Sequence, residues 1–154
     1  MYVFDSGAFI ELFRYYYADT FKSLWDKFDE LIETRKIISV MEVKRELEDY
    51  DDRLANWVKA HNYVFLKPNQ EEVDVIKHIY SNRNFEYNIK MKDKMHYCSE
   101  ADPFVVAKAK IMGYKVVSTE RYKNNGAKVP NLCEYEGVEH LSVEDFMKNE
   151  KWHF

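Results

Sequence analysis

The chain has 154 residues, 46% hydrophobic and 32% charged, with a net charge of −4, and reads as one globular domain spanning residues 1–154. Its 4 Gly and 3 Pro are too few for an all-β architecture of many tight turns, and no apolar run approaches the ~18 residues of a membrane span. Two cysteines, Cys98 and Cys133, lie far apart without C-x-x-C spacing, which excludes a disulfide framework, matches no standard zinc pattern and makes the cytoplasm the expected compartment.

Tyr2–Asp5 reads as a short buried strand, followed by a helix from Ser6 to about Tyr17. Thr20 is expected to cap a second helix, in which Phe21, Leu24, Trp25, Phe28, Leu31 and Ile32 recur at helical spacing. Lys36–Ser39 is the second strand, with a helix from about Val40 to Asp49 and a short one marked by Leu54, Trp57 and Val58. A third strand at Tyr63–Leu66 ends before Pro68, and Asn69 with Glu72 forms a capping-box-like start for the next helix. Residues 81–100 have no clear period and many charges, and read as a long loop or an irregular helix.

The stretch from Ala101 to Gly113 then carries a helix with Asp102 as expected N-cap, Pro103 in its first position and Gly113 as left-handed C-cap. Lys115–Ser118 is the fourth strand, and the tail holds an Asn125-Gly126 loop, a strand near Leu141 and a last helix capped by Ser142. Strands alternating with helices predict a three-layer α/β/α domain with a short, mostly parallel sheet of four to five strands.

Four acids fall at strand ends or just after them: Asp5, Glu42 or Glu46, Asp102 and Glu120. Singly, Asp5 and Asp102 are explained by helix capping, and Glu42 with Glu46 by a solvated i, i+4 flank. Jointly, they put carboxylates at the edge of a parallel sheet where open α/β folds place their sites.

The same residues carry a resemblance. Asp5-Ser6 after the first strand, Ser39 followed by Glu46-Leu47, the A-D-x-x-x-x-A helix from Ala101-Asp102 to Ala107, and Ser118-Thr119-Glu120 after the fourth strand resemble, in order, the motifs of the PIN domain. Within that group the chain looks like the PIN-like proteins of the DUF4411 type. Glu120 stands where an Asp is commoner, and the middle acid is Glu46 by motif or Glu42 by nearness to the strand.

The resemblance implies a metal-dependent endoribonuclease that hydrolyses RNA phosphodiester bonds, with Asp5, Glu46, Asp102 and Glu120 as catalytic and metal-binding residues and Glu42 as a substitute for Glu46. Clustered carboxylates repel one another unless a cation joins them, and an all-oxygen donor set selects Mg²⁺ or Mn²⁺. It also implies the toxin component of a toxin–antitoxin pair, with an antitoxin protein and a homodimer as expected partners.

Positive charge interleaved with rings precedes Asp102: Lys77, His78, Arg83, Lys90, Lys92, Lys94 and His96, among Phe85, Tyr87 and Tyr97. That mixture suits single-stranded RNA, as do Lys108 and Lys110 on the Asp102 helix and Arg121 and Lys123 after Glu120. The run Phe9–Tyr17 holds more aromatic surface than one helical stripe needs, which fits extra core or a protein interface. The alternative function is a non-catalytic PIN-like module that binds RNA or protein.

Overall fold

Strand β1 (Tyr2–Phe4) sits at the centre of the sheet, paired in parallel with β2 (Ile37–Val40) on one side and β4 (Lys115–Val117) on the other. The computed structural model describes residues 1–94 and 101–154, with side chains to Met91 and from Ala101 onward. Two-residue strands β3 (Phe65–Leu66) and β5 (His140–Leu141) complete an all-parallel sheet of order β3-β2-β1-β4-β5. Parallel neighbours need crossovers, and helices supply them here.

Alternation along β1 sorts the layers. Tyr2 and Phe4 face one side, where Phe4 meets Phe9 of α1 (Ser6–Tyr15), Phe28 of α2 (Lys22–Glu33) and Phe146 of α9 (Val143–Asn149) at ring distances of 5.3, 6.3 and 5.0 Å. The other side is covered by α7 (Ala101–Met112), which packs on β1, β2 and β4 with α5 (Gln70–Ser81) and α8 (Val129–Glu136) beside it. Helices α3 (Met41–Glu48), α4 (Asp52–Ala60) and α6 (Arg83–Lys94) fill the remaining connections among the described residues. The three-layer α/β/α architecture expected from the alternating pattern is the one observed. None of these helices is long and apolar enough to cross a membrane.

Several caps follow the sequence. Asn69 Oδ1 accepts from Glu72 N at 2.9 Å while Glu72 Oε2 accepts from Asn69 N at 2.6 Å, Ser142 caps α9, and Gly113 adopts φ +71° after α7. Others differ. Helix α2 begins at Lys22, behind Phe21 and without a side-chain cap, so Thr20 does not start it. Asp102 lies inside the first described turn of α7 rather than at its cap. Most of residues 81–94 form the regular helix α6, because Asn82 Oδ1 accepts from the N–H groups of Asn84 and Phe85. Helix α8 has no counterpart in the sequence reading.

Candidate functional site

The order of the sheet reverses at β1. The chain leaves β1 for β2 and β3 on one side, then crosses back to β4 and β5 on the other. The crevice between the C-terminal ends of β1 and β4 is therefore the topological switch point, where open α/β sheets bind ligands. Asp5 follows β1, and Ser118-Thr119-Glu120 follows β4.

Asp5 occupies the N-cap position of α1 with extended backbone (φ −80°, ψ 163°), yet its side chain makes no cap hydrogen bond. Its backbone instead extends the ladder, Asp5 N donating to Val117 O at 3.0 Å. Ser39 Oγ, at the end of β2, donates to Phe4 O at 2.6 Å and ties the neighbouring strand ends together. Gly7 lets the strand ends close further, because a Cβ there would run into the Thr119 hydroxyl.

Asp5 and Asp102 are both buried, each 5% exposed. Both act electrostatically on the thiol of Cys133 on α8, which burial first and these two acids second push up to about 12. Both aspartates are thus within electrostatic reach of one buried thiol. The same shift makes a prediction: Cys133 is buried and protonated, so alkylation of the native protein at pH 8 should leave it unmodified, whereas unfolding should expose it. Peptide mapping by mass spectrometry checks this.

Glu46 and Glu42 part company on α3. Glu46 is hydrogen-bonded by Ser6 and feels Glu120, and burial raises its pKa above the ordinary carboxylate value. Glu42, also raised by burial, answers instead to Arg45, Lys108 and Glu72. Glu46 is thus the acid bonded to Ser6, whereas Glu42 lies within electrostatic reach of Lys108 on α7 and Glu72 on α5.

Glu120 is engaged structurally: its Oε2 accepts from Val129 N at 2.7 Å, at the start of α8. Its backbone N–H donates to Ser118 Oγ at 3.3 Å, and Ser118 Oγ shares a 2.7 Å hydrogen bond with His140 Nε2. Burial holds His140 below its usual pKa, against the opposing pull of Glu120 and Asp145. Among the described residues, no three His, Cys, Asp or Glu side chains gather closely enough to hold a metal ion as they stand. Of the four expected acids, Asp5 and Asp102 are buried and act on the Cys133 thiol, and Glu120 acts on Glu46.

Of the expected RNA contacts, Arg83, Lys90 and Arg121 are exposed, although Lys90 is paired with Glu86 at 2.6 Å. Lys108 is a correction: it is buried, with Nζ 2.7 Å from Glu72 Oε1 and donating to Lys67 O at 3.0 Å, so its charge is spent inside the fold. Lys92 and Lys94 lie outside the residues whose side chains are described, as do His96 and Tyr97. Three further groups reach this region: Cys133 and His140, which the sequence offers only as part of a non-standard zinc set, and the α8 N-terminus, which it does not signal as a helix start. The first and last sit on the helix that was not foreseen.

A family model described as "Domain of unknown function (DUF4411)" matches residues 2–154. No curated protein and no solved structure matches the chain.

Proposed function

We propose that this chain, which belongs to the DUF4411 family, is a metal-dependent ribonuclease of the PIN type that cleaves RNA at Asp5 and Asp102. The observation that supports it most is that both acids are buried and both act on the Cys133 thiol, at the switch-point side of a parallel sheet. Like charges in one buried neighbourhood repel, and a cation relieves that repulsion.

The donor chemistry fits a hard divalent ion. Asp5 and Asp102 offer carboxylate oxygens, and the Cys133 thiol, pushed up to about 12, stays protonated and outside the ligand set at neutral pH. That favours Mg²⁺ or Mn²⁺ over zinc. Asp5 and Asp102 would hold it, with Glu46 and Glu120 flanking. When bound, such an ion polarises a phosphoryl oxygen and lowers the pKa of water. Glu46, raised by burial and oriented by Ser6, is the carboxylate best suited to hold a proton during the reaction. Arg121, next to Glu120 in the chain and exposed, and Arg83, exposed on α6, would offer cations to the RNA backbone.

In this reading the chain acts as the toxin of a toxin–antitoxin pair. Tyr15 and Tyr17, each 62% exposed at the end of α1, belong to the surface that an antitoxin or a second copy would cover. The deciding assay incubates single-stranded RNA with the protein in Mn²⁺ and in EDTA. Internal cleavage in Mn²⁺ alone is expected, and intact RNA in both would count against the nuclease.

A second reading, a non-catalytic RNA- or protein-binding module, is favoured by one contact: Glu120 Oε2 is committed to Val129 N, which leaves only Oε1 for an ion. Thermal melts separate the two. A resident ion at about 100 times its Kd stabilises by ~2.7 kcal/mol, which raises the melting temperature of a domain this size by several degrees. Equal melting temperatures in EDTA and in saturating Mn²⁺ would favour the module.

A further inference from the structure

Directly after Glu120 the chain folds into a loop whose shape is set almost wholly from α8 and α6. Asn131 Oδ1 accepts from the N–H groups of Lys128 and Lys123 at 3.2 and 3.3 Å, and its Nδ2 donates to Lys123 O at 2.7 Å. From the other side Asn84 Nδ2 donates to Asn125 O at 3.1 Å, with Asn125 in the left-handed region at φ 58°. The loop so fixed walls a cavity of about 270 Å³, at the small end of ligand sites.

Its lining combines rings with hydrogen-bonding groups: Phe85, Tyr122 and Tyr135 with Asn124, Asn125 and Glu134. Tyr135 is braced by Phe85, edge-on at 5.1 Å, and by His78, stacked at 5.0 Å. Tyr122 is 55% exposed, and the side-chain amides of Asn124 and Asn125 take no part in the bonds that shape the loop. Among the described lining residues the one with a charge is an acid, Glu134, which disfavours a phosphate and favours a flat neutral group that donates to a carboxylate.

We infer that this cavity is a nucleobase subsite, selecting bases with an exocyclic amino group over uracil. Tyr122 supplies the stacking face, Asn124 and Asn125 read the base edge, and Glu134 accepts from the amino group. Tyr122 is two residues from Glu120, so their Cα atoms are at most ~7 Å apart and the cavity's loop leads directly out of the crevice. The inference deepens the ribonuclease reading and rests on it for the identity of the ligand as RNA.

The test follows backbone amides of residues 121–126 by NMR while cytidine, uridine or free ribose is titrated into the full chain in EDTA, where no cleavage is required. Cytidine should bind about tenfold more tightly than uridine, the factor expected for one hydrogen bond to a charged acceptor, and uridine, which still stacks on Tyr122, more tightly than ribose. Tyr122→Ala should abolish the difference by removing cytidine binding, Glu134→Gln should bring cytidine down to the uridine level, and Asp102→Asn should leave cytidine binding unchanged. Equal binding of cytidine and uridine, or cytidine binding that survives Tyr122→Ala, would overturn the subsite. Base-selective binding by a protein that fails to cut RNA would sink the nuclease reading and leave the subsite standing. Cleavage without base-selective binding would do the reverse.

Discussion

Asp102→Asn is expected to lower Mn²⁺-dependent RNA cleavage by about 10³-fold, equivalent to ~4 kcal/mol of transition-state stabilisation. The substitution is nearly isosteric, and Asp102 is buried in the first described turn of α7, so the fold should survive. What is lost is one of two negative charges in the neighbourhood of Cys133. Circular dichroism and melting curves establish that the variant folds, and a timed cleavage assay beside the unaltered protein measures the loss. Undiminished cleavage would remove Asp102 from the mechanism.

The largest expected stability effect lies outside the crevice. Lys108 and Glu72 form a buried ion pair, with side chains 6% and 1% exposed, that joins α7 to the capping box of α5. Lys108→Ala leaves the Glu72 charge buried without its cation, which costs about 3–5 kcal/mol, or roughly 10 °C in melting temperature. Adding Glu72→Gln to Lys108→Met should recover most of that, because Gln can still serve the capping box and Met fills the volume of the lysine stem. A chemical-denaturation series over the single and paired variants measures it. A loss below ~1 kcal/mol for Lys108→Ala would show that the pair is not a stability determinant.

The same lysine marks where sequence reasoning stopped. Alternating strands and helices, the Asn69–Glu72 box, the Ser142 cap and the Gly113 C-cap are local patterns, and each is written in neighbouring residues. So are Asp5 and the Ser118-Thr119-Glu120 turn, because they follow short β-branched or aromatic strands. Helix α7 is different, being buried on nearly every side from Ala101 to Ala109. Periodicity cannot tell the outward face of such a helix, and Lys108 therefore looked like a surface cation.

Helix α8 was illegible for a related reason. It is eight residues long and mostly buried, and its start is fixed by Glu120 Oε2 on Val129 N and by Asn131 gripping the preceding loop. The Glu120 and Lys123 contacts span eight or nine residues and are invisible to local propensity, whereas Pro130 in the first turn and Asn131 on Lys128 N are local start signals that the short run of apolar residues does not make stand out. Missing α8 meant missing Cys133 beside the two aspartates and the structural duty of Glu120. The choice between Glu42 and Glu46 likewise needed three dimensions, since both lie on the same helix face and only packing sends one toward Ser6 and the other toward Lys108.

A crystal soaked in Mn²⁺ decides whether Asp5 and Asp102 share an ion, because manganese is located by its anomalous scattering irrespective of activity. One strong anomalous peak is expected at the C-terminal ends of β1 and β4, within ~2–2.6 Å of carboxylate oxygens from both Asp5 and Asp102. A fully soaked crystal without a peak between those two residues, or with manganese bound only elsewhere, would contradict a shared ion.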